Sequence, residues 1–167
     1  MAQFDLAFER MINNEGGCVL THVSGDRGGQ TYAGIARNVW PEWWGWHAID
    51  EGREPGKDEV MAFYRRHFWT PIRGDEIASQ HVATTLFDFA VNAGVRQAVK
   101  LAQRVLCVTH DGVMGPVTLG ALNRMEPELF AAQYTVARVR HYADIVSRNS
   151  GQRKFLLGWV LRALREA

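Results

Sequence analysis

Glu15 closes a stretch of apolar-patterned sequence and is followed at once by Gly16 and Gly17, and a second cluster, Gly25-Asp26-Arg27-Gly28-Gly29-Gln30-Thr31-Tyr32, comes soon after. Two acids and a hydroxyl set among glycines suit a cleft floor better than a core, because glycine lets the backbone approach a ligand closely. A carboxyl at the C-terminal end of a helix meets the negative end of the dipole, and neighbouring Phe and Met side chains desolvate it; both influences disfavour its charged form. A carboxyl held neutral in this way is a general acid, able to pass a proton to a glycosidic oxygen. Asp26 and Thr31 are then the nearby groups to manage positive charge on the sugar or to hold a water. The same residues also admit a plainer reading, with Glu15 as a helix-end acid and Asp26 as a turn former.

The elements that must position these groups are legible as periodicity. Phe4, Ala7, Phe8, Met11 and Ile12 follow the helical i, i+3, i+4, i+7, i+8 template, and Glu15 falls about three turns after Phe4 on the same side. Residues 19–30 read as an irregular loop or short hairpin, and 31–38 as a short helix. Residues 40–46 form a tryptophan-dense turn, and 58–69 a helix closed by Pro71. Beyond Gly74 the pattern is almost wholly helical: 80–93, 95–106 with Gly94 as a left-handed cap between them, then about 127–147 and 152–165. Asp111-Gly112 marks a turn, and Gly115-Pro116 places proline where a helix begins. The expected fold class is mostly α: a helical lobe with a small irregular or hairpin segment over 1–78, packed closely on a helical second module over 79–167.

The run Arg10-Met11-Ile12-Asn13-Asn14-Glu15-Gly16-Gly17, with Asp26-Arg27-Gly28-Gly29-Gln30-Thr31 and Gly34-Ile35, resembles the N-terminal lobe of glycoside hydrolase family 108, the phage-type lysozymes or N-acetylmuramidases. Phe87-Asp88-Phe89-Ala90-Val91-Asn92-Ala93-Gly94, Leu101 to Leu106, and Asp111-Gly112-Val113-Met114-Gly115-Pro116 are similar to the peptidoglycan-binding module that accompanies that lobe. Phe155-Leu156-Leu157-Gly158-Trp159 matches the terminal helix of the family. The resemblance implies a lysozyme-like lobe and Glu15 as the catalytic acid. Asp26 and Thr31 correspond in type and order to the acid and threonine that other phage lysozymes use, at a different spacing. It further implies cleavage of the β-1,4 bond between N-acetylmuramic acid and N-acetylglucosamine in peptidoglycan glycan strands. A lytic transglycosylase, which uses one acidic Glu to form an anhydro product, and a non-catalytic wall-binding or secretion-related protein are the competing readings. One departure is Cys18, where the family has an aromatic such as Tyr; it reads as a neutral buried thiol.

Among residues that would touch substrate, Tyr32 is the single cleft contact expected beside Thr31, and Asp88 and Asn92, four apart on one helix, share a face that contacts substrate or braces the neighbouring loop. Trp40, Trp43, Trp44 and Trp46 offer flat faces for sugars, with structural packing as the expected role of most of them. The six histidines show no metal-ligand spacing, so neither a metal nor an organic cofactor is expected. Cys18 and Cys107 are too few and too far apart for a disulfide framework or a metal knuckle.

Composition bounds the rest. With 47% hydrophobic and 22% charged residues in 167, the chain has the makings of a packed core, and disordered or fibrous classes are excluded. Net charge is +1, yet seven arginines and lysines fall between Arg138 and Ala167 against Asp144 and Glu166, which reads as a solvated basic helix face. No nucleic-acid motif accompanies them, so no nucleic-acid partner is expected. Asp5, Glu9 and Arg10 interrupt the apolar pattern of the first residues, unlike a signal peptide. The expectation is therefore a monomer synthesised in the cytoplasm that reaches the wall after release, with a holin-like membrane helper.

Overall fold

The computed structural model describes residues 1–14, 17–22 and 29–165. Among the described residues, eight α-helices and one small antiparallel sheet run in the order α1 (Phe4–Asn14), β1 (Leu20–His22), β2 (Gln30–Tyr32), β3 (Ile35–Ala36), α2 (Gly45–Asp50), α3 (Lys57–Tyr64), α4 (Gln80–Ala93), α5 (Val95–Val105), α6 (Pro116–Arg124), α7 (Pro127–Arg148) and α8 (Leu156–Arg165). The mostly helical class with a hairpin-like segment after the first helix is the expected one. The chain divides into two compact units, residues 4–67 and residues 1–3 with 68–167. Among the described residues no helix is long and apolar enough to cross a membrane.

In the first unit, α1 buries Phe4, Ala7, Phe8, Met11 and Ile12, the five positions its spacing picks out. Residues 31–38, expected as a short helix, instead form β2, a turn and β3. Tyr32 pairs with Ile35 across Ala33 and Gly34, and both of these have positive φ (50° and 80°). That is the two-residue turn whose twist suits a hairpin, and local turn chemistry outweighs the weak helical spacing there. The helix expected over 58–69 starts at Lys57 and stays α-helical to Tyr64; Arg65–Trp69 continue it as a wider π-helical turn. Similarly, α8 is preceded by a 3-10 segment over Ser150–Phe155.

The second unit is organised around α4, which is buried from Val82 to Ala90 and capped by the Ser79 hydroxyl accepting from the Val82 N–H at 3.3 Å. Gly94 ends it at φ 88° and, as expected of a residue in that region, is glycine. The Asp111-to-Thr118 motif is a hydrogen-bonded hub. Buried Gln103 donates to Asp111 Oδ1 at 2.7 Å and to Thr118 Oγ1 at 3.1 Å, while its Oε1 accepts from the Gly112 N–H at 2.8 Å. The Gln103 amide, followed by the Val113 N–H, holds the Asp111 carboxyl below the usual carboxylate range. Pro116 then opens α6 behind the Gly115 cap.

The basic tail is only partly a surface feature. Arg138, fully buried, donates from Nη2 to Asp88 Oδ2 at 2.9 Å and lies over the Phe89 ring; Arg162 reaches the same carboxylate at 2.8 Å. One acid on α4 thus receives guanidinium groups from α7 and α8. Removing one member of a buried pair leaves the other charge uncompensated, so Asp88→Asn is expected to cost about 3–5 kcal/mol in chemical denaturation, with α8 losing its anchor.

Candidate functional site

In the first unit, Gly17, at φ 85°, donates its N–H to the Ile12 carbonyl at 3.0 Å and turns the chain out of α1 toward β1. The sheet that follows is paired Leu20 to Tyr32, Thr21 to Thr31 and His22 to Gln30. Thr31 is half-buried, and its carbonyl accepts from Thr21 Oγ1 at 3.3 Å. Its neighbour Tyr32 necessarily points to the other face of the strand. Tyr32 is buried, stacks on Trp43 at 6.0 Å between ring centres, and donates its hydroxyl to the Pro55 carbonyl at 3.1 Å. Burial, and after it the charges at Cys18, Glu54 and Glu59, hold its phenol above the ordinary value.

Behind the sheet stands an aromatic layer. Trp43 meets Trp46 edge-on at 5.1 Å, Phe63 meets Trp40 at 5.1 Å and Tyr64 at 5.3 Å, and Tyr64 reaches Phe8 of α1 at 5.9 Å. The Trp46 indole donates to the Trp40 carbonyl at 2.9 Å. Trp43 and Trp46 are core residues, as expected, whereas Trp44 is 51% exposed. Gly45 is required by packing, because a Cβ there would overlap the Trp43 ring.

This layer floors an open cleft of about 540 Å³ lined by Trp40, Trp43, Trp44 and Phe63 together with Glu42, Asp58, Glu59, Ala62, Arg66 and His67. Flat apolar faces ringed by carboxylates, a guanidinium and an imidazole can stack on a sugar ring and bond its hydroxyls. The polar members were not singled out from the sequence. Their signal is the i, i+4 spacing of Asp58, Ala62 and Arg66 and of Glu59, Phe63 and His67, which puts two rows of α3 and its continuation along one wall. His67 packs at 4.7 Å from both Trp40 and Phe63. Burial, then the Arg66 charge, holds its imidazole below the ordinary 6.5.

Of the residues picked out for chemistry, Thr31 and Tyr32 fall together on β2. Glu15 and Asp26 lie outside the described residues. Asp88 and Asn92 lie one turn apart on α4 in the other unit: Asp88 is 2% exposed and fully engaged by Arg138 and Arg162, while Asn92 is exposed and accepts from the Tyr142 hydroxyl at 3.4 Å. Cys18, expected to be buried, is an exposed free thiol, as is Cys107; residue 18 stands in the connection to β1, where the short sheet does not cover it.

The sequence of residues 8–94 matches the model of Glycosyl hydrolase 108, just over half of the chain. The chain belongs to this family. Residues 97–164 match a second model, Predicted Peptidoglycan domain. The fold is similar to the structure of Brucella abortus SagA, with a TM-score of 0.73 and 27% identity over 98% of this chain and 90% of that one. Among curated proteins none matches it. As a family 108 glycosyl hydrolase with a peptidoglycan domain, the chain is a peptidoglycan hydrolase.

Two outcomes follow for the cleft of this family 108 lobe. Gly45→Ala forces Trp43 off its seat and is expected to destabilise the protein by about 1–3 kcal/mol, read by denaturant titration. His67, with its pKa lowered on folding, contributes stability that is complete above 6.5 and is lost as the pH falls through its folded value. Melting temperatures of the wild type and His67→Phe, compared from pH 7.5 down to 5.5, should therefore diverge in favour of the variant at the acid end.

Proposed function

We propose that the chain hydrolyses the β-1,4 bond between N-acetylmuramic acid and N-acetylglucosamine, with Glu15 as the general acid. The observation that supports this most directly is the local order of elements. An amphipathic helix with a fully buried apolar face ends at Asn14, immediately before Glu15, and the three-stranded sheet bearing Thr31 follows. In sequence Glu15 directly follows the C-terminal end of α1, and a helix dipole disfavours a charged carboxylate at that end, which would suit proton donation. In the reaction, Glu15 protonates the glycosidic oxygen as the bond to the sugar C1 breaks. Asp26 and Thr31 stabilise the oxocarbenium-like charge or hold the water whose oxygen becomes the new hydroxyl.

The aromatic cleft serves this reading as a saccharide subsite. Trp44 is its exposed platform, and Glu42 and Asp58 are acceptors for sugar hydroxyls. Tyr32, expected as a cleft contact, is buried outside the lining with its hydroxyl bound to Pro55, and it backs the cleft only through its stacking on Trp43. In the second unit Asn92, exposed, is better placed to meet substrate than Asp88.

The test is product analysis on purified peptidoglycan. Glu15→Gln is expected to lower release of reducing ends by about 100- to 10,000-fold with an unchanged melting temperature. Mass spectrometry of the wild-type digest should show reducing N-acetylmuramic acid. Anhydro-muramic products would replace hydrolysis by internal cyclisation, and near-native activity in the variant would remove Glu15 from the chemistry. Trp44→Ala should raise KM about three- to tenfold with kcat held, the signature of lost uniform binding.

A further inference from the structure

The second unit contains an open groove of about 560 Å³ between α5 and α7, within the span that matches the peptidoglycan domain. Its volume falls in the ~300–1,000 Å³ range of small-ligand clefts. Leu101 and Val105 from α5 and Val136 and Ala137 from α7 give it an aliphatic lining, and Val136 is 62% exposed. Arg104 and Arg140, both exposed, stand at its edges, and neither forms an ion pair among the described residues. Asp144 is the one carboxylate in the lining, so the groove carries an excess of positive charge.

These features discriminate between the two chemistries of a peptidoglycan strand. Its glycan presents flat sugar faces, which are bound by stacking on aromatic rings. The lining of this groove holds no tryptophan, tyrosine or phenylalanine, in contrast to the cleft of the first unit. The peptide stem presents alanine methyls and free carboxylates, including the α-carboxylate of a γ-linked D-glutamate and the terminal carboxylate. Methyls match a floor of Leu, Val and Ala, and carboxylates match two guanidinium groups that lack an acidic partner, each able to give a forked, charge-assisted pair.

We propose that the α5–α7 groove binds the peptide stem of peptidoglycan, with Arg104 and Arg140 taking its carboxylates. This rests on peptidoglycan being the substrate, but not on which glycan bond is cut. The groove selects wall that still carries its peptides, and the aromatic cleft engages the sugars.

The experiment titrates the full chain with the synthetic tetrapeptide L-Ala-γ-D-Glu-meso-diaminopimelate-D-Ala, followed by NMR and calorimetry, beside the double variant R104E/R140E, whose fold is checked by its melting temperature. The wild type should bind the peptide with shifts confined to α5 and α7, and the double variant should bind at least about tenfold more weakly. Equal binding by the two proteins, or shifts that map elsewhere, would overturn the proposal. A Val136→Glu variant that lowers self-association in sedimentation while peptide binding persists unchanged would also overturn it, by making the groove an interface between copies of the chain. Digestion of intact, peptide-bearing peptidoglycan separates this from the reading above: a wild type that binds tetrapeptide but releases no reducing ends from such wall sustains the groove and defeats the proposed hydrolysis. A wild type that cuts such wall and ignores the tetrapeptide does the reverse.

Discussion

Two tyrosine hydroxyls hold the sheet of the catalytic lobe in place. Tyr32 donates to the Pro55 carbonyl at 3.1 Å and Tyr64 to the Ala33 carbonyl at 2.7 Å. Strands of two or three residues cannot stand alone in water, since a small sheet needs a packed face or a partner helix. Here the face is the ring of Tyr32 on Trp43, and the partner is α3, which contributes Tyr64. The second bond falls on the turn itself, where Ala33 is held at positive φ, a strained place for a residue with a side chain. Thr31 immediately precedes the two tied residues, Tyr32 and Ala33, so its place is fixed by tertiary bonds more than by strand propensity.

The second unit solves its problem with charge. Asp88 is buried on a helix buried from Val82 to Ala90, a setting in which a lone carboxylate would be costly. Two guanidiniums offset that cost, and their direction fixes which face of α7 and of α8 turns inward. The balance is incomplete: Arg138 Nε and Nη1 are buried and find no hydrogen-bond partner among the described residues. An apolar replacement of all three groups could therefore be as stable, and what the trio adds is a specified register for two helices whose apolar stripes alone would tolerate rotation.

The α-helical plan was legible because amphipathic spacing is a local signal. The buried face of α1, the Gly94 cap, and the Asp111-to-Pro116 turn were all read from neighbours in the chain. What escaped depends on distant partners. Residues 31–38 have helical spacing of apolar groups, but their own pairing of Tyr32 with Ile35 and Thr31 with Ala36 is reinforced by β1 and by Tyr64, partners that the spacing does not show. The basic tail looked solvated because nothing near Arg138 or Arg162 in sequence shows that both meet Asp88, 50 and 74 residues away. Likewise the tryptophan-rich turn suggested sugar stacking, but only packing separates the exposed Trp44 from the buried Trp43 and Trp46, and the acids that complete the cleft sit on α3. Glu15 and Asp26 were found by motif and lie outside the described residues, so their chemistry rests on type and position.

A peptidoglycan hydrolase acts on an insoluble polymer, which changes what a weak site is worth. Open clefts of moderate volume with solvent-facing charges do not give tight binding by themselves, because exposed ion pairs contribute little and are screened by salt. Under the proposed stem-peptide binding, a strand held by its peptides stays at the enzyme at a raised effective concentration, about millimolar for a short tether. Two weak sites with different chemistries, aromatic with carboxylates in one unit and aliphatic with arginines in the other, then add selectivity for intact wall without slowing release after each cut. Tight binding in either would work against turnover, since only contacts that strengthen in the transition state speed the chemistry. The open form of both clefts is consistent with that demand.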